Sequence, residues 1–353
     1  MPSSGLSPSK SKKKYTHEIT SRKFAWLEQI PPHFLNSTVT FPHNLLFGSH
    51  LSIAGSIVNA LHDAKTQGMD CVQVFTKNQR QWKVKPLIEE EVALWLETLR
   101  EMGWYETNRV VSHNSYLVNM ASPDKDAQNK SIALQREEIE RCEQLHIPYL
   151  VSHPGARLGT PRKRGEPNNV EGPIASDELA GLQRIVDAID TIHNDLLGYK
   201  TITCLETTVG SGTNLGYDFR HLGWIRSRVA EPERVGFCFD TCHITASGYD
   251  MSSRKKANSV LEIFDTTAGL EHIKVFHFND SIGEIGSRLD RHVHIGDGTC
   301  GLSCFESIVQ DSRFVAIPKI LETSKEENKN GELMDMVNIA KLRKMAKSSK
   351  KRR

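Results

Sequence analysis

The sequence predicts an α/β protein with a (β/α)₈ TIM barrel, and three observations lead to this fold class. Eight short runs of β-branched and aromatic residues are each bounded by turn or polar residues. Apolar residues at helical spacing lie between these runs. The alternation extends over about 280 residues, close to the usual size of roughly 250 residues for such a barrel. A doubly wound open sheet has the same alternation, so periodicity alone leaves that architecture open.

The predicted strands are short apolar runs that follow one another along the body of the chain. In order they are 45–48, 71–75, 110–112, 149–152, 202–205, 235–239, 273–278 and 317–321. The clearest helix between them has Val92, Trp95, Leu96 and Leu99 on one face, and Gly103 is its predicted stop. Similar stripes lie within 132–145 and 179–189.

Composition divides the chain into three parts. Residues 1–44 are a Lys-rich and then Pro-interrupted extension that we expect to be partly disordered. Residues 45–324 form the predicted barrel. Residues 325–353 form a basic C-terminal tail, whose last dozen residues are of low complexity and are predicted to be disordered.

Acidic and basic residues are distributed unevenly along the chain. The net charge is +2, yet residues 15–340 carry ten more acidic than basic side chains, and the basic excess lies in the two terminal segments. Bound cations would offset the acidic body, and the tails are expected to meet a polyanion or an import receptor.

The seven cysteines contain no CxxC pair, and no run approaches the roughly 20 apolar residues of a membrane-spanning helix. We therefore expect neither a zinc finger, nor a disulfide scaffold, nor a membrane protein.

Histidines and carboxylates stand at or just after the ends of the predicted strands. In a (β/α)₈ barrel all these ends converge on one mouth, the C-terminal one. The residues predicted to meet there, including those of two adjoining loops, are His50, His113, His153, Glu206, Asp240, His243, His277, Asp290, His292 and Glu322.

Such a cluster indicates bound metal ions. Any one of these side chains is more often a cap or a satisfied buried polar group, but four carboxylates packed together repel one another unless cations lie between them. Imidazole with carboxylate is a ligand set suited to zinc, with manganese or iron as alternatives. Two or three dications would leave the site neutral to positive, which favours an anionic substrate such as phosphate. We interpret Cys242 as a packing residue, and 210–216 as a tight loop whose GxGxxxG spacing differs from a dinucleotide-binding motif.

Nine segments between residues 45 and 323 carry distinctive motifs. They are FTKNQRQW (75–82), SHNSYLVN (112–119), RCEQL (141–145), SHPGARL (152–158), LETTVGSGTNLG (205–216), FDTCH (239–243), HFND (277–280), SRLDRHVHIGDG (287–298) and ILET (320–323). In this order they resemble the segments of the endonuclease IV family, the zinc-dependent apurinic/apyrimidinic DNA endonucleases. Neither tail belongs to the shared pattern.

The resemblance implies three zinc ions per chain. The implied ligand sets are His113, His153 and Glu206 for one ion; Asp240, His277 and Glu322, with Glu206 as a bridge, for the second; and His243, Asp290 and His292 for the third. Glu206 and Glu322 are the residues implied to be catalytic. One departure is Asn114, where the bacterial pattern usually has Asp, and this puts any role of that carboxylate in doubt.

The resemblance also implies the substrate and the reaction. The expected activity is hydrolysis of the phosphodiester 5′ to an abasic site in double-stranded DNA, which leaves a 3′-hydroxyl and a 5′-deoxyribose phosphate, and the trimming of blocked 3′ ends, as part of base excision repair. A monomer is expected. Arg80, Tyr116 and Leu117 occupy the family's wedge positions, and Lys77 and His50 are further expected DNA contacts.

Two alternative functions remain open, and the sequence also predicts where the protein is located. A metal-dependent sugar isomerase or epimerase uses a similar barrel, and a silent lesion-binding protein would keep the wedge without the metals. The basic tail, ending in KKRR, predicts a nuclear protein, or a protein of a viral DNA compartment if the source is a large DNA virus.

Overall fold

The structure is a computed structural model that describes residues 45–83, 85–162 and 172–348. Eight parallel strands close into one barrel, and two further short strands pair as a separate antiparallel ribbon. The strands are β1 (Leu46–His50), β2 (Cys71–Val74), β3 (Val110–His113), β4 (Tyr149–Ser152), β5 (Ile202–Glu206), β6 (Val235–Asp240), β7 (Ile273–His277), β8 (Asp280–Ser281), β9 (His292–Val293) and β10 (Pro318–Leu321).

The barrel closes because β1 pairs with both β2 and β10. The order around it is β1-β10-β7-β6-β5-β4-β3-β2, so strands that follow one another in the chain are neighbours, apart from the excursion through the ribbon β8–β9. All eight predicted strands are present, and the predicted barrel is confirmed. The open sheet is excluded.

Helices follow the strands and cover the outside of the barrel. They are α1 (Val58–Thr66), α2 (Glu89–Glu101), α3 (Lys125–Gln144), α4 (Ser176–Asp195), α5 (Phe219–Arg226), α6 (Thr241–Ser247), α7 (Arg254–Ala268), α8 (Leu302–Val309) and α9 (Met334–Ser348). The three predicted stripes lie on α2, α3 and α4. In α2, Trp95 and Leu99 are fully buried, and Gly103 ends the helix region with a φ of +66°.

The barrel interior has a closed apolar floor below the mouth. One side chain from each barrel strand contributes to it: Leu46, Cys71, Val111, Val151, Cys204, Cys238, Val275 and Ile320. Successive side chains of a strand point to opposite faces, so residues two positions apart share a face. The residue two positions beyond most floor residues therefore points into the mouth, and His113, His153, Glu206, Asp240, His277 and Glu322 stand at these positions.

One buried carboxylate of the ribbon, that of Asp280 in β8, holds the segment that follows β9. Asp280 accepts backbone N–H groups of Ser281 at 2.9 Å and Cys300 at 3.0 Å with Oδ1, and of Gly296 at 2.9 Å and Gly298 at 3.2 Å with Oδ2. The loop that contains LDRH and GDG is thereby closed onto the end of β7.

The C-terminal segment differs from the expectation of a disordered end. Helix α9 continues to Ser348, and its Ile339 and Leu342 are buried in the hydrophobic core. Arg343 forms an ion pair with Asp70 at 2.9 Å. The prediction of disorder is thus wrong for residues 342–348, because basic residues on the exposed face concealed an apolar face that packs on the barrel. The extension 1–44 and residues 349–353 lie outside the described residues.

Two sequence-level expectations concern membrane spans and the cysteines. Within the described ranges, no helix is long and apolar enough to cross a membrane. All seven cysteines are buried and none forms a disulfide.

Candidate metal centre

The nine predicted metal ligands come together at the C-terminal mouth of the barrel. Within each group the potential ligand atoms lie within 4.8 Å of one another. The described residues form five such groups. Three of them coincide with the ligand sets implied by the sequence motifs: His113, His153 and Glu206; Glu206, Asp240, His277 and Glu322; and His243, Asp290 and His292. The other two each include a buried cysteine: Glu206, Cys238 and His277; and Asp240, Cys242 and His292.

Glu206 stands between the first two groups. Its Oε2 lies 3.4 Å from His113 Nε2 and 3.1 Å from His153 Nε2, whereas its Oε1 lies 3.0 Å from His277 Nδ1. The side chain is fully buried, and Oε2 accepts no hydrogen bond from any described residue. A buried carboxylate oxygen without a donor is costly, so this atom is arranged for a cation.

In His113 and His243, the ring nitrogen that faces a carboxylate is the one without a hydrogen. His113 Nδ1 lies 2.8 Å from the carbonyl oxygen of Asn114, and His243 Nδ1 lies 2.8 Å from that of Thr207. A carbonyl only accepts, so both Nδ1 atoms carry a hydrogen, and in each neutral ring Nε2 has a lone pair. These lone pairs face Glu206 Oε2 and Asp290 Oδ1, at 3.4 Å and 3.3 Å. A proton or a metal ion between the facing atoms removes the repulsion, so the residues fit metal ions.

In the metal-free protein, protons on the imidazoles remove the repulsion between the imidazole nitrogen atoms and the carboxylates. Burial alone would lower the pKa of His277, but Glu322 and Glu206 raise it to about 9. Burial likewise acts against the charged form of His243, yet Asp240, Asp290 and Glu206 raise its pKa well above the usual value. Burial would raise the pKa of Glu206, and the neighbouring imidazoles hold it well below the ordinary range. The centre therefore combines ionised carboxylates with imidazoles whose positively charged form these carboxylates stabilise.

Local helix capping orients Asp240. It is the N-cap of α6, and its Oδ1 accepts the backbone N–H of His243 at 2.8 Å. Its Oδ2 accepts from the side-chain amide of Asn279 at 2.7 Å and lies 3.7 Å from His277 Nδ1. The spacing of the DTCH motif is thus that of an N-cap and its third helical residue, which brings two ligands together.

The third group is more open than the other two. Asp290 is about half exposed, and its Oδ1 lies 3.3 Å from His243 Nε2 and 3.4 Å from His292 Nε2. Burial would raise the pKa of Asp290, but His243 and the other imidazoles lower it to about 2. His292 Nε2 is buried and has no hydrogen-bond partner among the described residues.

The predicted DNA contacts differ in their accessibility. Tyr116 is 58% exposed and packs edge-on against Phe75, with ring centroids 5.6 Å apart. Arg80 is exposed and Leu117 is half-buried on the neighbouring turn. All three lie on loops at the mouth, as expected for a wedge.

Lys77 and His50 lie deeper than expected for residues that contact DNA. Lys77 is only 8% exposed and donates to the carbonyl oxygens of Asn78 and Gln81, and it lies 3.5 Å from Glu138. This position supports the turn that carries Arg80 and gives no support to a direct phosphate contact by Lys77. The Nδ1 atom of His50 lies 3.5 Å from Glu322 Oε1, and burial lowers the pKa of His50.

A cavity of about 310 Å³ adjoins the first ligand group. His113, Tyr116, His153, Asn119, Thr208 and Asn214 are among the residues that line it. Asn114 also borders the cavity, and its amide donates to Gln135 and Ser152, so it packs behind the ligands rather than between them.

Sequence reasoning missed two buried amides beside the ligands. Asn279 binds Asp240 through Nδ2, and its Oδ1 accepts the backbone N–H of Glu322 at 2.8 Å. Gln73 contacts His50, His277 and Glu322. Both amides were overlooked because Asn and Gln are not typical zinc ligands.

Comparisons with known proteins show the family to which the chain is related. The profile of the family AP_endonuc_2, described as a xylose isomerase-like TIM barrel, matches residues 61–343. A "Probable endonuclease 4" of Chloroflexus aggregans is 40% identical over 301 residues, which cover 85% of this chain and 98% of that protein. The chain belongs to the endonuclease IV family. A "Probable endonuclease 4" of Geotalea daltonii is 41% identical over 300 residues, again 85% of this chain and 98% of the relative.

The barrel is also similar to a solved member of the endonuclease IV family. The crystal structure of endonuclease IV from Thermus thermophilus matches with a TM-score of 0.70 and 27% identity, and the match covers 86% of this chain and 99% of that one. The resemblance inferred from the nine motifs is therefore confirmed, and the residues that match the family model, 61–343, include neither the extension 1–44 nor the last ten residues.

Proposed function

We propose that the protein is a DNA repair enzyme that hydrolyses the phosphodiester 5′ to abasic sites, leaving a 3′-hydroxyl and a 5′-deoxyribose phosphate, with three zinc ions. The same centre is proposed to trim blocked 3′ ends. One observation carries this proposal: Glu206 directs one oxygen to each of two ligand groups, and a third group lies beside them. Family membership supports the choice of DNA as the substrate.

Different residues of the chain would hold each of the ions at this centre. His113, His153 and Glu206 would hold the first ion, and Glu206 would share the second with His277, Asp240 and Glu322. When bound, zinc lowers the pKa of water to about 7 and stabilises negative charge on phosphoryl and leaving oxygens. Ionised Glu206 and Glu322 would balance the charge of the ions, and the burial of Glu206 excludes competing water from the inner face of the site.

The mouth is shaped to receive an extruded sugar. A nucleotide without a base leaves the helix at low cost, because no base has to be unstacked. Exposed Tyr116, with Leu117 and Arg80 nearby, is placed to fill the gap in the duplex, and the cavity beside His113 and His153 is the space proposed for the deoxyribose. This arrangement favours abasic over intact DNA.

A nicking assay separates this function from the alternatives. The protein, purified without chelator, is incubated with a duplex that contains one synthetic abasic site, and in parallel with an aldose. Cleavage on the 5′ side of the lesion, absent in the intact duplex, supports the proposal. Isomerisation of the sugar without nicking indicates an isomerase or epimerase. Binding of the abasic duplex without either reaction indicates a silent lesion-binding protein.

We further propose that the protein acts as a monomer in the nucleus, or in a viral DNA compartment if its source is a large DNA virus. The support is the run of basic residues that follows α9, which extends beyond the described residues. Because Leu342 and Arg343 belong to the packed part of α9, a deletion test should remove only residues 349–353. A fluorescent fusion that stays nuclear after this deletion would show that another segment directs import.

A further inference from the structure

Gln73 is a fully buried residue at the inner face of β2. It stands two positions after the floor residue Cys71, at the level where other strands supply metal ligands. Its side-chain amide contacts three functional groups at the mouth. Nε2 lies 2.7 Å from Glu322 Oε1 and 2.9 Å from His50 Nδ1, and Oε1 lies 2.8 Å from His277 Nε2.

The chemistry of Glu322 fixes the orientation of this amide. Glu322 belongs to the second ligand group, and a carboxylate that holds a cation is ionised and only accepts hydrogen bonds. The nitrogen of the Gln73 amide must therefore face Glu322, and its oxygen faces His277. An inverted amide would place two acceptors 2.7 Å apart.

The orientation of the amide in turn determines which nitrogen of His277 is available. Because Gln73 Oε1 only accepts, the hydrogen of the ring is held on Nε2. Nδ1 is the atom that faces Glu206 Oε1 at 3.0 Å, Glu322 Oε2 at 3.2 Å and Asp240 Oδ2 at 3.7 Å. Gln73 thus presents the ligand nitrogen of His277 to three carboxylates.

Three other imidazoles of the centre are oriented differently. His113, His243 and His292 direct Nδ1 to the backbone carbonyl oxygens of Asn114, Thr207 and Glu322, at 2.8, 2.8 and 3.4 Å. A backbone carbonyl cannot be removed by substitution. The orientation of His277 depends on a side chain instead, so the role of Gln73 can be tested by mutation.

We propose that Gln73 is a positioning residue that holds His277 as an Nδ1 ligand and Glu322 as an oriented carboxylate of the second ligand group. The proposal rests on the proposed zinc-dependent function. Loss of a hydrogen-bond partner behind a metal ligand typically weakens metal binding about 10- to 100-fold. Without Gln73, the Nε2–H group of His277 loses this acceptor, so the ring is no longer held with Nδ1 towards the three carboxylates.

The first measurement uses the unmodified protein loaded with zinc. Spectra of ¹⁵N-histidine-labelled protein, with His277 assigned by comparison with His277→Gln, report which ring nitrogen carries the hydrogen. We expect a slowly exchanging hydrogen on Nε2 of His277. A hydrogen on Nδ1 would overturn the proposal. Protein that retains no zinc after purification without chelator would instead count against the zinc-dependent function itself.

The second measurement compares zinc retention in variants. In Gln73→Met, one of the bound zinc ions should be released at chelator concentrations about 10- to 100-fold lower than in the unmodified protein, with the other ions retained. The matched control is Gln128→Met, which removes another buried glutamine, bonded to the carbonyl oxygens of Met120 and Arg184 away from the centre. Zinc release from Gln73→Met that equals that of the control would refute the positioning role.

A third variant distinguishes positioning from a general loss of packing. Gln73→Glu keeps an acceptor for His277 but cannot donate to Glu322 and places a second carboxylate beside it. We expect His277 to keep its Nε2 hydrogen in this variant, while zinc is again released more easily than from the unmodified protein. Unchanged zinc retention in Gln73→Glu would show that the bond to Glu322 does not contribute.

Discussion

The carboxylate of Glu206 and the imidazole of His277 are 3.0 Å apart, Oε1 to Nδ1, inside a fully buried site. The other oxygen of Glu206 faces His113 and His153 and has no donor among the described residues. This relationship makes Glu206 the group on which two ligand sets depend, and it leads to the first prediction.

Replacement of Glu206 by Gln should abolish nicking but not DNA binding. The amide has nearly the same shape, but it cannot bridge two cations, and the loss of several kcal/mol of charge stabilisation lowers the rate on the order of 1,000-fold. The measurement is the single-turnover nicking rate beside the affinity for abasic duplex. Glu90→Gln, at the exposed start of α2, is the control and should behave like the unmodified protein. Nicking within tenfold of normal in Glu206→Gln would contradict the bridging role.

The stability of the metal-free protein should fall as the pH rises from about 6.5 to about 9. The pKa of His277 is raised to about 9 in the folded metal-free state, against 6.5 as the ordinary value, so the folded state binds more protons in this range. Below pH 6.5, protonation of His277 contributes about 3 kcal/mol to the free energy of unfolding. This contribution is lost as the pH rises through about 9. The raised pKa of His243 acts in the same direction.

The comparison with zinc-loaded protein isolates this effect. Thermal unfolding midpoints are measured over the same pH range with chelator and with zinc. Burial lowers the pKa of Lys319 to about 7, which produces an opposite trend, but Lys319 is common to both forms and cancels in the difference. A difference between the two forms that stays constant from about pH 6.5 to about 9 would contradict the view that protons replace cations at this centre.

Asp280 should be required for the third ligand group. It holds the segment that follows His292 through the backbone N–H groups of Gly296, Gly298 and Cys300, and each such bond to a charged group contributes about 1.5–3 kcal/mol. We expect Asp280→Ala to lower the free energy of unfolding by about 3 kcal/mol or more and to release one zinc ion first. Both quantities are measured by denaturant unfolding and elemental analysis.

Two further variants sharpen the test of Asp280. Gly298→Ala should act in the same direction, since a Cβ there would lie 2.4 Å from the carbonyl oxygen of Ser281. Asp265→Ala is the control, because Asp265 accepts one backbone N–H, that of Leu270 at 3.1 Å, far along the chain from the ligands. If Asp280→Ala binds three zinc ions as tightly as the Asp265→Ala control, the anchoring role of Asp280 is refuted.

Much of this centre could be predicted from the sequence, for a geometric reason. Ligands such as His113, Glu206 and His277 end parallel strands, and parallel strands of a closed barrel end at one mouth. Gln73 occupies an equivalent position after Cys71, and the same spacing could have revealed it. It was missed because its residue type suggests no metal chemistry and its partners come from other strands.

The sequence predicts less where distant segments decide the environment of a residue. Lys77 is an expected DNA contact, and the sequence does not show that Glu138, on α3, lies 3.5 Å from it and that Lys77 is buried. The apolar face of α9, with Ile339 and Leu342, was hidden by the basic residues around it. Burial by tertiary contacts overrides local charge in both cases, and a single sequence does not show such contacts.

Tyr116 should contribute to the recognition of abasic sites more than to general DNA binding. Its ring is exposed at the mouth, and stacking of an aromatic side chain on a base contributes about 1–3 kcal/mol. We expect Tyr116→Ala to bind abasic duplex roughly 10- to 100-fold more weakly while binding to intact duplex changes little. Tyr105→Ala, in the segment between α2 and β3 at the opposite end of the barrel, is the control. Equal loss of affinity for both duplexes would argue against a wedge.

The proposed function requires that three ligand groups at one barrel mouth form a three-zinc centre. The most direct measurement is anomalous diffraction at the zinc absorption edge from crystals of protein purified without chelator. We expect three peaks, one within each group, with Glu206 between two of them. Fewer than three peaks, or zinc bound away from these nine side chains, would contradict it.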